Sequence, residues 1–433
     1  MKHWFKDQHF RSLLKNSGYL ASSRAVAAVC SLATLAMAGR DLGVLLFGIL
    51  ILITSYTRAA SGIAKFQSWQ LIVRYGGRGL AEGNPEQFKS STGFAAALDV
   101  SSGLAGMILA VILLPLLAPM VGIDRQYWWL AMAYCTLIPT MGAASPSGVL
   151  RTLDRFDLIS WAGTVTPISR AVMASIAFIN GASLPVYVAI WFVSDLAGDL
   201  FTWFLAWREL KRHDLHVGIR PTLNPATLPG AWKFAININL AVGVQTVWGP
   251  IARLAVGGLL GPTGAAFFRI ASTLADSAQK PADLLGKAFY PEVVRMDFRT
   301  KAPWRLMLRV AAFATIIAAA AVLILLVGGK PLIATLFGKD FLGAYEPLLI
   351  LMAVPLLSVV SFPLGPMLYA LGKAGAPLRA KVIASVLFFI ILAPLCWRLD
   401  VAGAAIAFVI AMAVNVVVMM IQVARQYRRV RAR

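Results

Sequence analysis

Charge is scarce in this chain. Of its 433 residues only 14% are Asp, Glu, Lys or Arg, against roughly a quarter in soluble domains. With 59% hydrophobic residues, a soluble fold is excluded. Acidic residues are scarcer still, 19 against 40 Lys and Arg, and histidine occurs only 4 times. His3, His9, His213 and His216 fall in the N-terminal tail and the central linker. None therefore sits where an intramembrane acyltransferase or metalloprotease needs one. Cys30, Cys135 and Cys396 all lie within apolar runs, which leaves no disulfide framework and no metal-ligand spacing, so they read as core filler. There is no Gly-rich phosphate loop. The longest external segment, near Gly328 to Tyr345, is short beside the large external loop of a glycan polymerase or ligase, and Gly76-Gly77 and Gly328-Gly329 read as turns. The chain is not expected to be an enzyme, and it calls for no cofactor and no metal.

What the sequence has in abundance is apolar runs of membrane-spanning length. They recur from Ser17 to Met420, with breaks too short for a folded extramembrane domain. About twelve spans are expected: Ser17 to Ala38, Leu42 to Ala64, Gly93 to Leu117, Tyr127 to Leu150, Leu158 to Ile179, Leu184 to Trp207, Phe234 to Val256, Pro262 to Lys287, Leu306 to Val327, Leu348 to Leu371, Val382 to Trp397 and Val401 to Val423. The fold class is thus an all-α polytopic membrane protein, and the function must sit within the membrane.

The net charge of +21 would suggest nucleic acid in a soluble protein. Here it reports orientation instead. With the N-terminus cytoplasmic, roughly 30 of the 40 Lys and Arg fall in cytoplasmic tails and loops, the asymmetry of positive-inside topology. Both termini are expected inside a bacterial inner membrane, and no nucleic-acid partner is implied. The tail 424–433, with Arg425, Arg428, Arg429, Arg431 and Arg433, suits anionic membrane lipids. In segment 1–16, Trp4, Phe5, Phe10, Leu13 and Leu14 are interspersed with Lys2, Lys6, Arg11 and Lys15, as in a helix lying in the cytoplasmic interface. It does not read as a cleavable signal peptide, because the first apolar run is of spanning length and another follows directly.

The chain also repeats itself. Leu35-Ala-Met-Ala-Gly39 followed by Arg-Asp-Leu-Gly43 matches Leu254-Ala-Val-Gly-Gly258 followed by Leu-Leu-Gly-Pro. Trp69-Gln-Leu-Ile-Val-Arg74 matches Tyr290-Pro-Glu-Val-Val-Arg295, and Gly148-Val-Leu-Arg-Thr-Leu153 matches Pro366-Met-Leu-Tyr-Ala-Leu371. All three pairings share an offset of roughly 220 residues, half the chain. Two six-span halves follow, 17–207 and 234–423, joined by a basic linker at 208–233 that contains Pro221, Pro225 and Pro229. An even number of spans in each half makes them parallel repeats about an axis along the membrane normal, with a central cavity expected between them.

Ionisable residues inside the spans carry the chemistry: Arg24, Arg58, Asp99, Arg170, Asp195, Asp199, Arg253, Arg269 and Asp276. Facing all of them to lipid would cost on the order of 25 kcal/mol, more than any net stability. Most must point into the bundle. Arg269, Thr273, Asp276 and Lys280 form a polar stripe on span eight, Thr54, Arg58, Ser61 and Lys65 another on span two, and Ser17, Arg24 and Ser31 a sparser one on span one. Asp195 and Asp199, at i and i+4 on span six, are close enough to influence each other's protonation. As ion pairs these charges would only fix helix register, the fitting account for Arg170, whose polar sequence neighbours are few. As a cationic lumen, Arg24, Arg58, Arg253 and Arg269 would bind an anionic headgroup, since guanidinium forks onto phosphate oxygens. Asp99, Asp195, Asp199 and Asp276 are then the candidates to bind a coupling proton or sodium ion. Trp128, Trp129, Trp191 and Trp203 fit interfacial anchoring or core packing better than stacking on sugar.

At this point the chain resembles the polysaccharide and O-antigen flippases of the multidrug/oligosaccharidyl-lipid/polysaccharide (MOP) exporter superfamily. The segments that carry the resemblance are Gly39-Arg-Asp-Leu-Gly-Val-Leu-Leu-Phe-Gly48, Leu153-Asp-Arg-Phe-Asp157, Gly261-Pro-Thr-Gly-Ala-Ala-Phe-Phe-Arg269, Leu285-Gly-Lys-Ala-Phe-Tyr-Pro-Glu292 and Leu336-Phe-Gly-Lys-Asp340. The resemblance implies two six-helix bundles working by alternating access. Their cargo would be an undecaprenyl-pyrophosphate-linked oligosaccharide bound for the periplasmic face, with a polysaccharide polymerase as a downstream partner. In the related lipid II flippases, arginines on the first, second and eighth helices line the cavity, and Arg24, Arg58 and Arg269 hold comparable places. The two additional C-terminal helices of that branch are missing, so a peptidoglycan precursor is the less expected cargo. The rival within the superfamily is a proton- or sodium-coupled antiporter of small organic cations, which would need a net acidic cavity.

Overall fold

A computed structural model of the chain describes residues 8–294, 302–361, 363–370 and 375–431. Every regular element among them is helical. In order they are α1 (Gln8–Ala64), α2 (Pro85–Met120), α3 (Trp128–Cys135), α4 (Ala144–Thr152), α5 (Phe156–Ile179), α6 (Leu184–Arg212), α7 (Ala231–Val294), α8 (Ala302–Leu336), α9 (Tyr345–Leu351), α10 (Ala353–Ser361), α11 (Leu364–Ala370) and α12 (Gly375–Arg431), with short helical turns between.

Eight helical stretches among the described residues are long and apolar enough to cross a membrane, fewer than the expected spans for two physical reasons. First, α1, α7 and α12 each hold two spans, separated by one residue of positive φ: Gly43 (φ 68, ψ 175), Gly261 (φ 70, ψ −175) and Asp400 (φ 52, ψ −137). The chain doubles back there, so that a Cβ on Gly403 would lie 2.1 Å from the carbonyl oxygen of Leu395. In the sequence repeat Gly43 aligns with Pro262, so Gly261 lies one position out of register with it, yet the two glycines share one backbone conformation. Second, the span expected over 127–150 is interrupted. Helix α3 stops at Cys135, a non-helical turn carries Pro139 and Gly142, and α4 restarts at Ala144. The span expected over 348–371 carries breaks as well, with Pro355 in α10, Pro363 between the helices and Pro366 in α11, yet Lys339–Ser361 is still one of the eight stretches.

The glycine pairs read as turns are not turns. Gly76 closes a π-helical turn, Ile72–Gly76, and Gly77 opens the helical turn Gly77–Ala81; Gly328 and Gly329 lie inside α8. At Gly76 the missing side chain makes room for a neighbour, since a Cβ would meet Ser91 Oγ at 2.6 Å.

Helix α2 shows the inverted polarity of a membrane element. Gly103, Gly106, Ala110 and Leu114 recur at helical spacing and are buried, while Ile108, Ile112 and Leu116 on the other side are exposed. An apolar face left uncovered is costly in water and natural against lipid. The small residues let helices approach closely: a Cβ on Gly103 would sit 2.7 Å from Pro139, and one on Gly106 2.4 Å from Ala64.

The chain divides into two compact units, residues 1–42 with 53–251, and 43–52 with 252–433. In the first, α5 and α6 pack along each other, and the core gathers Ile72, Phe88, Val149, Leu150, Leu205 and Leu210. The linker is folded onto this unit: the Arg220 carbonyl abuts Gly93, Ser90 and Thr227 share a 2.6 Å hydrogen bond, and Tyr75 donates to the Pro229 carbonyl at 3.1 Å. In the second, α12 packs against α9, α10 and α11, and Phe341 meets Phe337, Phe47 and Phe267 in a cluster of rings.

Candidate functional site

The polar stripe read on span two becomes one wall of a pocket in the first unit. Arg58, Ser61 and Lys65, on the second arm of α1 and just beyond its end, face a cavity of about 570 Å³. Asp195 and Asp199 of α6 line it, with Thr166 of α5, Met141 and Gly142 of the interrupted helix, and Ser147 and Arg151 of α4. Phe66, Gln67 and Trp69 complete another side.

Asp195 is held from three directions. Tyr134 Oη donates to its Oδ2 at 2.6 Å, Arg170 pairs with its Oδ1, and Arg58 Nη2 stands 3.6 Å from Oδ2. Arg170 is fixed further by a 2.8 Å bond from Nε to Ser194 Oγ and by its seat over the Trp191 ring, 4.9 Å from the centroid. Arg170 and Asp195 are both 13% exposed, whereas Arg58 is 39% exposed. Arg170 is therefore a bound counter-ion, as the ion-pair account expected, while Arg58 keeps its guanidinium available to the cavity.

The interrupted helix is tied down at each polar end. Lys65 Nζ donates to the carbonyls of Pro139 at 2.9 Å and Met141 at 2.6 Å, groups a continuous helix would have bonded internally. Asp199 and Gly142 line the same pocket. Asp99 accepts from Ser68 Oγ at 2.6 Å, from the Ser145 backbone N–H at 2.8 Å and from Ser145 Oγ, placing a carboxylate at the N-terminus of α4 where the helix dipole favours it.

The expected site residues thus part company. Arg58, Asp195 and Asp199 converge on one pocket. Asp99, 2% exposed, is not among its lining residues and is occupied with neutral donors. Arg253, Arg269 and Asp276 belong to the second unit, where each interacts with a neighbouring group. Thr273 there returns its hydroxyl to the Arg269 carbonyl at 2.7 Å, and Asp276 is exposed. Arg24 and Lys280 lie outside the residues whose side chains are described. Trp191 packs under Arg170, and the Trp128 indole N–H is bonded to the Ile123 carbonyl at 3.1 Å. Sequence reasoning did not single out Tyr134 and Trp69 as site residues, nor Arg151, which looks like an ordinary positive charge at a span end.

Solved structures share this architecture over nearly the whole chain. A multidrug resistance MATE family transporter of the MOP superfamily, inward-facing, superposes with a TM-score of 0.76 at 14% identity, covering 94% of this chain and 96% of its own. Lipid II flippase MurJ, in an inward closed conformation, gives 0.75 at 13% identity, covering 95% and 90%. The class is therefore an all-α polytopic membrane protein with the MOP transporter fold. No protein-family model matches the chain. The Inner membrane protein YghQ of Escherichia coli (strain K12) is 40% identical over 348 residues, 80% of this chain and 98% of that protein, and the chain belongs to the YghQ family.

Proposed function

We propose that the protein is an inner-membrane flippase that carries an undecaprenyl-pyrophosphate-linked oligosaccharide from the cytoplasmic to the periplasmic leaflet by alternating access. Polysaccharide or lipopolysaccharide synthesis is the process it would feed, with a polymerase acting next. The observation that carries this reading is the charge of the pocket wall. Asp195 is shared by Arg170 and Arg58, so that Arg58, Lys65, Arg151 and Arg170 stand against the two carboxylates of Asp195 and Asp199. A cavity with that surplus suits a phosphate-bearing headgroup, which guanidinium groups fork and an ammonium attracts as a point charge. The fold is also that of a protein named as a lipid II flippase.

On this reading Arg58 is the first contact of the pyrophosphate, and Arg24, Arg253 and Arg269 meet it at other stages of the cycle. Asp195 and Asp199 are assigned to a coupling proton or sodium ion, Asp276 to a secondary role, and Asp99 to holding the interrupted helix. The halves 17–207 and 234–423 are the moving bodies, the linker 208–233 is cytoplasmic, and 1–16 and 424–433 rest on lipid.

A second reading is favoured by the carboxylate pair in the pocket and by the MATE neighbour: a proton- or sodium-coupled antiporter for small cations. Reconstitution separates the two. The flippase reading expects translocation of the undecaprenyl-pyrophosphate glycan in proteoliposomes, and at least a tenfold loss with Arg58→Ala. Gradient-driven uptake of an organic cation that ignores Arg58 and fails with Asp199→Asn would overturn it.

A further inference from the structure

Two of the segments that mark the internal repeat meet at the pocket. Trp69 opens the first and Arg151 lies in the second, and the Arg151 guanidinium sits 4.4 Å from the centroid of the Trp69 ring. The contact is built in from the backbone outward. Gly148, one helical turn before Thr152 on α4, packs so tightly against this segment that a Cβ would lie 2.8 Å from Trp69 Cα. The indole N–H is fixed by Gln67 Oε1 at 3.2 Å. At the matching positions of the second half the sequence has Tyr290 and Tyr369. The charged, amide-bearing arrangement therefore belongs to the first half only, which repeat packing alone does not require.

The pocket wall is divided by chemistry. Arg58, Asp195 and Asp199 stand on α1 and α6, whereas Gln67, Trp69, Ser147 and Arg151 form an aromatic and hydrogen-bonding surface. About 570 Å³ is within the range of small-molecule sites and far more than a pyrophosphate fills. An aromatic ring presents an apolar surface to the C–H face of a pyranose, while an amide, a hydroxyl and a guanidinium bond its hydroxyl groups.

We infer that Trp69, with Gln67, Ser147 and Arg151, is a specificity subsite for the sugar ring attached to the pyrophosphate of the transported lipid. The inference rests on the flippase reading, since it requires an anionic lipid-linked substrate in this pocket. Arg58 then reads the phosphate and Trp69 reads the sugar, so one cavity distinguishes a loaded carrier from an empty one.

The test compares two probes on the full-length protein in nanodiscs: undecaprenyl pyrophosphate bearing no sugar, and the same lipid bearing one N-acetylglucosamine. Wild type is expected to bind the glycosylated lipid about tenfold more tightly. Trp69→Ala removes that preference while leaving the Kd for the bare lipid within twofold, Trp69→Tyr retains it, and Arg58→Ala weakens both lipids together. Arg151→Gln and Gln67→Ala, each expected to reduce the preference, serve where Trp69→Ala does not fold. If wild type binds both lipids equally, or if Trp69→Ala, Arg151→Gln and Gln67→Ala all keep the preference, the subsite is refuted while the flippase reading stands. If neither lipid binds, both fall.

Discussion

Asp195 shows how this protein tolerates charge at membrane depth. One carboxylate accepts from Tyr134 and is flanked by Arg170 and Arg58, so each costly desolvation is offset by a partner of opposite sign or by a donor. Removing one partner from a buried pair costs about 3–5 kcal/mol because an uncompensated charge is left behind. Arg170→Ala is accordingly expected to lose about that much in thermal unfolding of the purified protein, partly softened by Arg58 moving in. Adding Asp195→Asn to it should recover part of the loss. A single substitution that unfolds within ~1 kcal/mol of wild type, with no coupling in the double-mutant cycle, would mean that the pair is not buried as described. Much of this cluster was legible in the sequence, because helical spacing put Arg58, Ser61 and Lys65 on one stripe and Asp195 and Asp199 on another. Tyr134 was not, since a tyrosine in an apolar run reads as core. Neither was the partner of Arg170, because spacing along one helix says nothing of which helix lies opposite.

The interrupted helix joins those side chains into an element. A continuous helix over 127–150 would satisfy its own backbone; the break at Pro139 and Gly142 frees carbonyls to which Lys65 donates and an N–H at Ser145 from which Asp99 accepts. Asp99→Ala strips the Ser145 N–H of a charged acceptor inside a buried cluster. A loss of about 2–4 kcal/mol is expected from the charge-assisted bonds and the unsatisfied donor. Asp99→Asn, which keeps one acceptor oxygen, should lose less. Thermal melts of both variants decide this: equal melting of wild type and Asp99→Ala would mean that the carboxylate does not hold α4. The turn at Asp400 makes the converse case. Its φ of 52 and ψ of −137 is a conformation that costs a side-chain-bearing residue about 1–3 kcal/mol, and the corresponding turns at Gly43 and Gly261 avoid that cost. Asp400→Gly is expected to raise stability by about 1 kcal/mol, and a lower melting temperature would count against that strain. The turns at Gly43 and Gly261 fall within one residue of each other in the repeat, so their place was legible from it although the glycines themselves do not align. The break at Pro139 was not, because proline inside an apolar run is equally compatible with an unbroken, kinked membrane helix.

For the whole molecule the surplus of 21 positive charges makes a claim about orientation that the fold alone does not supply. A bundle of helices can be drawn either way up. Insertion is biased by Lys and Arg in short loops and near span ends, and the basic residues from Arg74 to Lys89, from Arg151 to Arg155 and from Arg208 to Lys233 follow spans two, four and six, always after an even number of crossings. Asp124 and Arg125, and Lys339 and Asp340, which follow odd numbers, carry nearly balanced charge. A green fluorescent protein fused after Arg433 is therefore expected to fluoresce, as it does only on the cytoplasmic side, and alkaline phosphatase at the same point to be inactive. Phosphatase inserted at Gly338 should be active. The opposite pattern would invert the membrane sidedness of the pocket, and with it the direction of transport in the flippase reading, while leaving every helix where it is. Replacing Arg208, Lys211 and Arg212 by Gln is a sharper version of the same test: if these charges hold the linker inside, a measurable fraction of the C-terminal fusions loses fluorescence, and if orientation is fixed by the earlier spans alone, none does.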